Sequence, residues 1–100
     1  MKLRWTKRAL SQLRDAEDYI AQENPEVAKV VAERIASATC LLLTQPQMGR
    51  PGRIANTREW VVSKTPYFIA YSVLNEDLII LRVIHEKQHW PQKIKGVGDN

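Results

Sequence analysis

The most conspicuous chemical pattern in the sequence is His85-Glu86-Lys87-Gln88-His89, which has the H-E-x-x-H spacing of zinc proteases. In that motif two histidines one helical turn apart bind the metal, and the glutamate acts as the general base. The motif requires a helix, but here it follows the strand-like stretch 78–84, and Pro91 stands two residues beyond the second histidine. A third metal ligand is also missing, because the only acid after that histidine is Asp99. The sequence therefore argues against a metalloprotease, and we expect neither a metal nor a cofactor.

Cationic side chains form the second pattern that could carry function. Arg50, Arg53 and Arg58 occur in one short segment before any acid appears at Glu59, and the whole chain has a net charge of +4. An anionic partner and a solvated surface loop explain such a run equally well.

Hydrophobic spacing predicts a strand and two helices in the first half of the chain. Leu3 and Trp5 alternate with basic residues, which predicts a short strand, and Thr6 can cap a helix over 7–22. Asn24-Pro25 is a second helix start, because asparagine caps well and proline suits the first helical position. The second helix should end at about residue 45, before Pro46.

Three strands are predicted in the second half, after a proline- and glycine-rich loop. The stretches 58–63, 67–74 and 78–85 are rich in β-branched and aromatic residues and are separated by short turns. The predicted fold is therefore α+β, in the order β-α-α-β-β-β. We expect the N-terminal helical hairpin to pack on one face of a small twisted antiparallel sheet.

The length of 100 residues suits a single domain over 1–100. We divide it into a strand and helical hairpin (1–45), a three-stranded meander (57–85) and a flexible tail (92–100). No apolar stretch is long enough for a signal peptide or a membrane span, so we expect a cytoplasmic location. Cys40 is the only cysteine, which excludes an intrachain disulfide, and its apolar neighbours predict a buried thiol.

The two faces of the sheet depend on how the hairpins close. Three-residue loops would pair Ser63 with Tyr67 and Leu74 with Leu78, and the two-residue period of a strand then assigns the other positions. The core face would hold Val61, Tyr67, Ile69, Tyr71, Val73, Ile79, Leu81 and Val83. The open face, away from the helices, would hold Arg58, Trp60, Val62, Phe68, Ala70, Ser72, Ile80, Arg82 and Ile84.

Arg82 is the most informative residue of this predicted open face. It interrupts an apolar strand, and a guanidinium group cannot be buried without a partner or access to water. It either pairs with Glu59 or Glu86 or lines an anion-binding cleft. We favour the cleft because Arg58 and Trp60 are expected on the same face. The residues predicted to bind a target are Arg50, Arg53, Arg58, Trp60, Arg82 and Trp90.

Cleavage of RNA through its 2′-hydroxyl would need a base, an acid and cationic stabilisation of the phosphorane. Arg58 and Arg82 could supply the stabilisation, but His85 and Glu59 are expected on the opposite face. The sequence therefore contains no firm catalytic set, and it favours a protein that is not an enzyme. If the protein is an enzyme, we expect an endoribonuclease that uses Arg58, Arg82 and His85.

Several stretches in order carry a family resemblance. They are Trp5-Thr6-Lys7-Arg8-Ala9 followed by Leu13 and Tyr19-Ile20-Ala21, Asn24-Pro25, Pro46-Gln47-Met48-Gly49-Arg50, Arg58-Glu59-Trp60-Val61-Val62, Pro66-Tyr67-Phe68-Ile69-Ala70-Tyr71, and Arg82-Val83-Ile84-His85 followed by Gln88, Trp90 and Pro91. Over nearly the whole chain they resemble the ParE branch of the RelE/ParE toxin–antitoxin superfamily. That resemblance implies the same β-α-α-β-β-β fold.

The resemblance also implies a partner and an activity. The partner is a ParD-like or related antitoxin, which wraps the helical hairpin and sheet in a hetero-oligomer. We expect it to contact Leu13, Tyr19, Ile20, Val31 and Ile35. RelE-type relatives are ribosome-dependent mRNA endonucleases, whereas ParE-type relatives poison DNA gyrase. His89-Trp90 stands where RelE-type toxins carry acid–base residues, which favours gyrase. An mRNA interferase, and a remnant that only binds its antitoxin, remain as alternatives.

Overall fold

The computed structural model describes residues 1–87. The elements are β1 (Lys2–Trp5), α1 (Lys7–Ala21), α2 (Pro25–Thr44), β2 (Arg50–Pro51), β3 (Arg58–Val61), β4 (Tyr67–Leu74) and β5 (Asp77–His85). The α+β class and the order of the predicted elements are confirmed, and β2 is an additional short strand. The predicted target residue Trp90, the second histidine of the H-E-x-x-H pattern and the predicted tail over 92–100 lie outside the described residues.

Both helices begin where their capping residues predict. Thr6 Oγ1 accepts a hydrogen bond from the backbone N of Ala9 at 3.0 Å, and Asn24 Oδ1 accepts one from Val27 N at 3.2 Å. Each cap satisfies a backbone donor that has no partner inside the helix, which stabilises a helix by about 1 kcal/mol. Among residues 1–87, no helix combines the length and the apolar character needed to cross a bilayer.

The five strands form one mixed sheet in the order β1-β5-β4-β3-β2. The meander of β3, β4 and β5 is antiparallel, as predicted. β1 joins its edge in parallel, from Lys2 opposite Asp77 to Trp5 opposite Ile80. A parallel neighbour requires a long crossover connection, and the chain between β1 and the meander supplies one through both helices.

The hairpin between β3 and β4 closes one residue away from the prediction. Val62 N donates to Tyr67 O at 2.9 Å, so the loop comprises residues 63–66. Thr65 holds this loop closed: its backbone N and its hydroxyl both donate to the carbonyl of Val62, and its Oγ1 accepts from Tyr67 N. The predicted pairing of Ser63 with Tyr67 is therefore wrong.

This shift exchanges the two faces of β3, because neighbouring side chains of a strand point to opposite sides. Arg58 lies opposite Tyr71 and Trp60 opposite Ile69, so both are on the side of the sheet that faces the helices. Glu59 takes their predicted place on the open face, opposite Ala70.

The hairpin between β4 and β5 is tighter than predicted. Its turn is Asn75-Glu76, with φ values of 52° and 65°, and Leu74 pairs with Asp77 rather than with Leu78. Two-residue turns with positive φ at both positions match the twist of the flanking strands. The predicted three-residue loop is therefore wrong.

A β-bulge then restores the predicted register. Leu81 is an extra residue between the pairs Tyr71–Ile80 and Ala70–Arg82. Before the bulge Leu78 and Ile80 face the helices in place of the predicted Ile79 and Leu81, and after it the pairs are as predicted.

The main core lies between the helical hairpin and the sheet. Its buried members are Ala9, Ala16, Val31, Ile35, Ala38, Leu42, Val62, Tyr67, Ile69, Tyr71, Leu78, Ile80 and Val83. A smaller cluster of Phe68, Ala70 and Ile84 lies on the open face. Val61 and Val73, predicted in the core, are exposed. Cys40 is also exposed, contrary to the prediction, because α2 turns Thr39 and Leu42 inward.

Candidate functional site

Glu59 is a buried carboxylate that directly follows the arginine-rich segment and contacts two of its arginines. The residue is only 3% exposed. Its Oε1 accepts from Nε and Nη2 of Arg50 at 3.3 and 3.0 Å, and its Oε2 accepts from the backbone N of Arg53 at 3.1 Å. A buried charge persists when ion pairs and hydrogen bonds compensate its desolvation. Glu59 has both kinds of partner, so it fastens the loop that follows α2 onto the sheet.

Arg50 and Arg53 remain about half exposed although they contact this carboxylate. Arg53 Nε lies 3.9 Å from Glu59 Oε2, and its Cζ lies 5.7 Å from the centre of the Phe68 ring on the open face. The structure therefore brings two of the predicted target residues together at the border of the open face. Their role in binding a target stays a prediction.

The guanidinium group of Arg58 is bound by backbone carbonyls of the loop that follows α2. Its Nη1 donates to the carbonyls of Gln47 and Gly49 at 3.3 and 2.7 Å. It also lines a cavity of about 810 Å³ between the loop after α2 and the start of β3. The prediction that it shares a face with Arg82 is wrong, because the four-residue loop of the first hairpin turns it towards Tyr71.

Tyr71 joins the same loop to the core. Its hydroxyl donates to the carbonyl of Pro46 at 2.6 Å and accepts from Gly49 N at 3.0 Å. Burial raises the pKa of Tyr71, and the contact with Gly49 and the charge of Arg58 partly oppose that rise. Position 49 requires glycine, since an added Cβ would lie 2.6 Å from the Tyr71 hydroxyl and 2.9 Å from the Glu59 carbonyl oxygen.

Arg82 lies on the open face in one row with Ala70 and Glu59. Its Nη1 donates to the carbonyl of Leu81 at 3.3 Å, but its Nε is buried and has no hydrogen-bond partner among residues 1–87. Burial, with a smaller contribution from Arg8, lowers the pKa of Arg82. Glu59 is bound by other arginines, so the internal pairing considered for Arg82 is not formed there. Arg82 is therefore a half-buried cation whose guanidinium group is only partly satisfied by the described residues.

His85 ends β5 on the side that faces the helices, opposite Tyr67. The two rings pack edge to face, with centroids 5.2 Å apart and planes at 83°. Glu86 and Lys87 form a turn, so the described part of the H-E-x-x-H pattern lacks the helix that zinc binding needs. The residues considered for RNA cleavage are therefore divided, with Arg82 on one face of the sheet and Arg58 and His85 on the other.

An apolar groove of about 520 Å³ runs between α2 and β3. Its walls are Val30, Glu33, Arg34, Ser37, Ala38 and Leu41 of α2, with Trp60, Val62 and Ser63. Leu41 is 46% exposed and Val30 nearly as much. Trp60, predicted on the open face, packs here against the core because of the shifted register.

The strand beside this groove is β3, which the short strand β2 covers only in part. β2 pairs with β3 only at Arg58 and Glu59, so the edge beyond them has no strand partner among the described residues. Half-exposed apolar side chains beside an unpaired strand edge are the features to which amphipathic peptides bind.

Comparison with known proteins establishes the family. The family model described as the ParE toxin of the type II toxin–antitoxin system parDE matches residues 3–90. The chain belongs to the ParE toxin family. It is therefore a toxin of a type II toxin–antitoxin system in the ParE/RelE superfamily.

Two curated relatives cover most of this ParE-family chain. Y4kP of Sinorhizobium fredii, which is named as a candidate toxin, is 44% identical over 91 residues, or 91% of this chain and 94% of that protein. Toxin RelE2 of Caulobacter vibrioides is 40% identical over 81 residues, or 81% and 90%.

Solved structures give the same family fold. The chromosomal ParDE TA system from P. aeruginosa matches with a TM-score of 0.77 and 25% identity, covering 85% of this chain and 95% of that one. The intact E. coli RelBE toxin–antitoxin complex matches with a TM-score of 0.64 and 15% identity, covering 87% and 98%. At that identity the second match supports the fold alone.

The antitoxin contacts predicted for this ParE-family toxin need correction. Val31 and Ile35 are 8% and 0% exposed in the main core, so a partner cannot reach them in the folded chain. Leu13 and Ile20 are partly buried against that core, whereas Tyr19 is 72% exposed. Among the five predicted contacts, only Tyr19 offers a largely free surface.

The groove and the buried carboxylate were missed by the sequence analysis, and each left a signal. α2 carries Val27, Val30 and Leu41 outside the stripe that forms its core face, which marks a second apolar surface. Glu59 is the first acid after three arginines, so a local ion pair was available from spacing alone. The burial of Glu59 could not be predicted from spacing, because it depends on the register of β3.

Proposed function

We propose that this toxin poisons DNA gyrase and that a cognate ParD-like antitoxin neutralises it in a hetero-oligomer. The observation that carries the choice of target is the separation of Arg82 from Arg58 and His85 across the sheet. RNA cleavage needs a base and a cationic group around the same phosphate. Among the described residues, the one histidine lies on the opposite side of the sheet from Arg82. The match to the ParE family over residues 3–90 supports the same target.

The open face is the surface that we propose for the target. Arg82 lies on it, and Glu59 holds Arg50 and Arg53 at its border. Three arginines around the apolar residues Phe68 and Ala70 suit an anionic macromolecular partner such as gyrase with its cleaved DNA. A cytoplasmic location is part of the proposal, because gyrase acts on the bacterial chromosome.

The groove between α2 and β3 is the surface that we propose for the antitoxin. Val30 and Leu41 offer apolar anchors at helical spacing, and Trp60 lines the groove with them. The edge of β3 that has no strand partner among residues 1–87 can accept an extended segment. We propose this surface in place of the predicted antitoxin contacts Val31 and Ile35, because the fold buries both residues.

The decisive experiment compares two activities of the purified toxin. Gyrase supercoiling is measured beside mRNA cleavage on programmed ribosomes, for the natural chain, for Arg82→Met and for Arg14→Met. The last is a matched control, since Arg14 is an exposed arginine of α1. We expect the natural chain and the control to inhibit supercoiling, Arg82→Met to lose at least about tenfold in potency, and no message to be cut.

Two results would contradict the proposal. Unaffected supercoiling together with message cut in an Arg82-dependent manner would establish the second candidate, an mRNA interferase. That candidate is favoured by Arg82 itself, a cation of the open face without an ion pair among residues 1–87. Inactivity in both assays would leave a protein that only binds its antitoxin.

A further inference from the structure

A crevice separates α1 from the adjoining ends of β4 and β5, on the helix side of the sheet. Its volume is about 480 Å³. The residues that line it are Gln12, Asp15, Ala16, Tyr19, Tyr67, Val83 and His85. We call it the tyrosine crevice. It is distinct from the groove between α2 and β3 and from the open face, and neither surface of the proposed function uses it.

Aromatic rings form the walls of the tyrosine crevice and the fold holds the inner ones in place. Tyr67 belongs to the main core, and its ring packs edge to face against His85. Gln12 is fixed as well, because its Oε1 accepts a hydrogen bond from Val83 N at 2.8 Å. Tyr19 stands at the rim and is mostly exposed. The crevice is therefore a preformed aromatic site with one free ring at its entrance.

Among residues 1–87, no lysine or arginine lines the crevice. Burial, with a smaller contribution from Tyr19, raises the pKa of Tyr67, so this phenol stays neutral at physiological pH. Within the described part of the chain, Asp15 alone contributes a carboxylate to the lining, and this residue is exposed.

Asp15 has no ion pair within the described chain, whose ion pairs are Arg4–Asp77, Arg50–Glu59 and Arg53–Glu59. It also begins the most acidic stretch of the sequence. Residues 15–26 contain no lysine or arginine, and their acids are Asp15, Glu17, Asp18, Glu23 and Glu26. A protein of net charge +4 thus has a locally negative surface at this end of the helical hairpin.

We infer that the tyrosine crevice binds one cationic side chain, lysine or arginine, of a polypeptide partner. Ammonium and guanidinium groups bind over the faces of aromatic rings, and a carboxylate at the rim adds a charge-assisted hydrogen bond. The exposed ring of Tyr19 argues for a polypeptide, since large aromatic side chains at a surface are typical anchors of protein interfaces. The inference does not depend on gyrase being the target.

The test is a titration of the isolated, isotope-labelled toxin followed by NMR at pH 8. The probe is N-acetyl-arginine amide, and its matched control is N-acetyl-citrulline amide, which has nearly the same shape without the charge. We expect saturable shifts at Asp15, Tyr19 and Tyr67 with the arginine probe, and at least about fivefold weaker binding of the citrulline probe.

Variants locate the contact. Asp15→Asn and Tyr19→Leu should each weaken binding of the arginine probe by about fivefold, whereas Asp18→Asn, a nearby exposed acid outside the lining, should change it less than about twofold. All three positions are exposed, so the variants should fold, and thermal unfolding checks this. The inference is overturned if the arginine probe gives no saturable shift, if citrulline binds equally well, or if Asp18→Asn weakens binding as much as Asp15→Asn. Because gyrase and antitoxin are absent from the titration, its failure leaves the proposed function standing.

Discussion

Replacing Arg82 with methionine should stabilise the isolated toxin and, if the proposed function holds, weaken its inhibition of gyrase at least about tenfold. Arg82 Nε is buried without a hydrogen-bond partner among the described residues. An unsatisfied buried donor costs about 1–3 kcal/mol, and the hydrogen bond from Nη1 to Leu81 O, which the variant loses, contributes about 1 kcal/mol. Methionine keeps an unbranched apolar stem opposite the small side chain of Ala70. The free energy of unfolding should therefore rise by about 1 kcal/mol, and the melting temperature by about 4–8 °C.

The measurement is urea and thermal unfolding of the natural chain, Arg82→Met and Arg14→Met, followed by circular dichroism. Arg14→Met should stay within about 0.5 kcal/mol of the natural chain, as is usual for an exposed substitution. A loss of more than about 1 kcal/mol in Arg82→Met would refute the reasoning, because it would mean that the fold satisfies this guanidinium group. Higher stability together with lost inhibition of gyrase would identify Arg82 as a residue retained for activity at the expense of stability.

Three further substitutions test the contacts around the loop and the groove. Tyr71→Phe should lower the free energy of unfolding by about 2 kcal/mol, because it removes the partner of a buried loop amide and carbonyl, whereas Tyr67→Phe should lose less than about 1 kcal/mol. Equal losses in urea titrations would contradict this. Burial raises the pKa of both tyrosines above 10.0. Above pH 10 the folded chain therefore binds more protons than the unfolded chain. The contribution of these two tyrosines to the free energy of unfolding is fully present below pH 10 and is lost as the pH rises above it. The loss should be less steep in Tyr71→Phe, which lacks one of the two phenols. Glu59→Gln should speed hydrogen exchange of amides in 49–57 about tenfold and leave β4 and β5 protected; uniform acceleration would argue against a local role. Leu41→Glu should weaken antitoxin binding at least about tenfold in calorimetry while the toxin stays folded, and the control Leu10→Glu, an exposed leucine of α1, should not.

Local chemistry was enough to predict both helices and every strand except the two-residue β2. Thr6 and Asn24-Pro25 specify helix starts through their own side chains and backbone geometry, so no knowledge of the rest of the fold is needed. The same holds for β3, β4 and β5, which lie in stretches rich in β-branched and aromatic residues. The parallel position of β1 could not be read in this way, because it depends on where the chain returns after two helices.

The faces of β3 and of the first half of β5 could not be predicted, because hairpin loops of two, three and four residues use the same residue types. The first loop is set by the Thr65 hydroxyl and by a positive φ of 62° at Lys64. The second turn is set by positive φ at Asn75 and Glu76, the latter an uncommon residue for that conformation. Each one-residue error reverses a face, which is why Arg58 and Trp60 were grouped with Arg82.

The candidate site could be predicted only in part from the sequence, for a related reason. A 3.6-residue stripe shows that Val31 and Ile35 are covered, but not whether the sheet or a partner covers them. Arg82 was identified correctly as a cation in an apolar strand, because that conflict is visible in the sequence itself.

The position of β5 between β1 and β4 determines when this toxin can fold during its synthesis. Arg4 and Asp77, which meet across the parallel pair, are 73 positions apart, so β1 has no neighbour until nearly all of the described chain has left the ribosome. Contacts between such distant segments form late, because a long loop must close first. Leu78 and Ile80 of β5, which pack in the main core against the helices, are synthesised at the same stage. A nascent chain that ends before β5 therefore carries two helices with no completed sheet to pack on, so the fold of this toxin can be completed only after β5 has been synthesised.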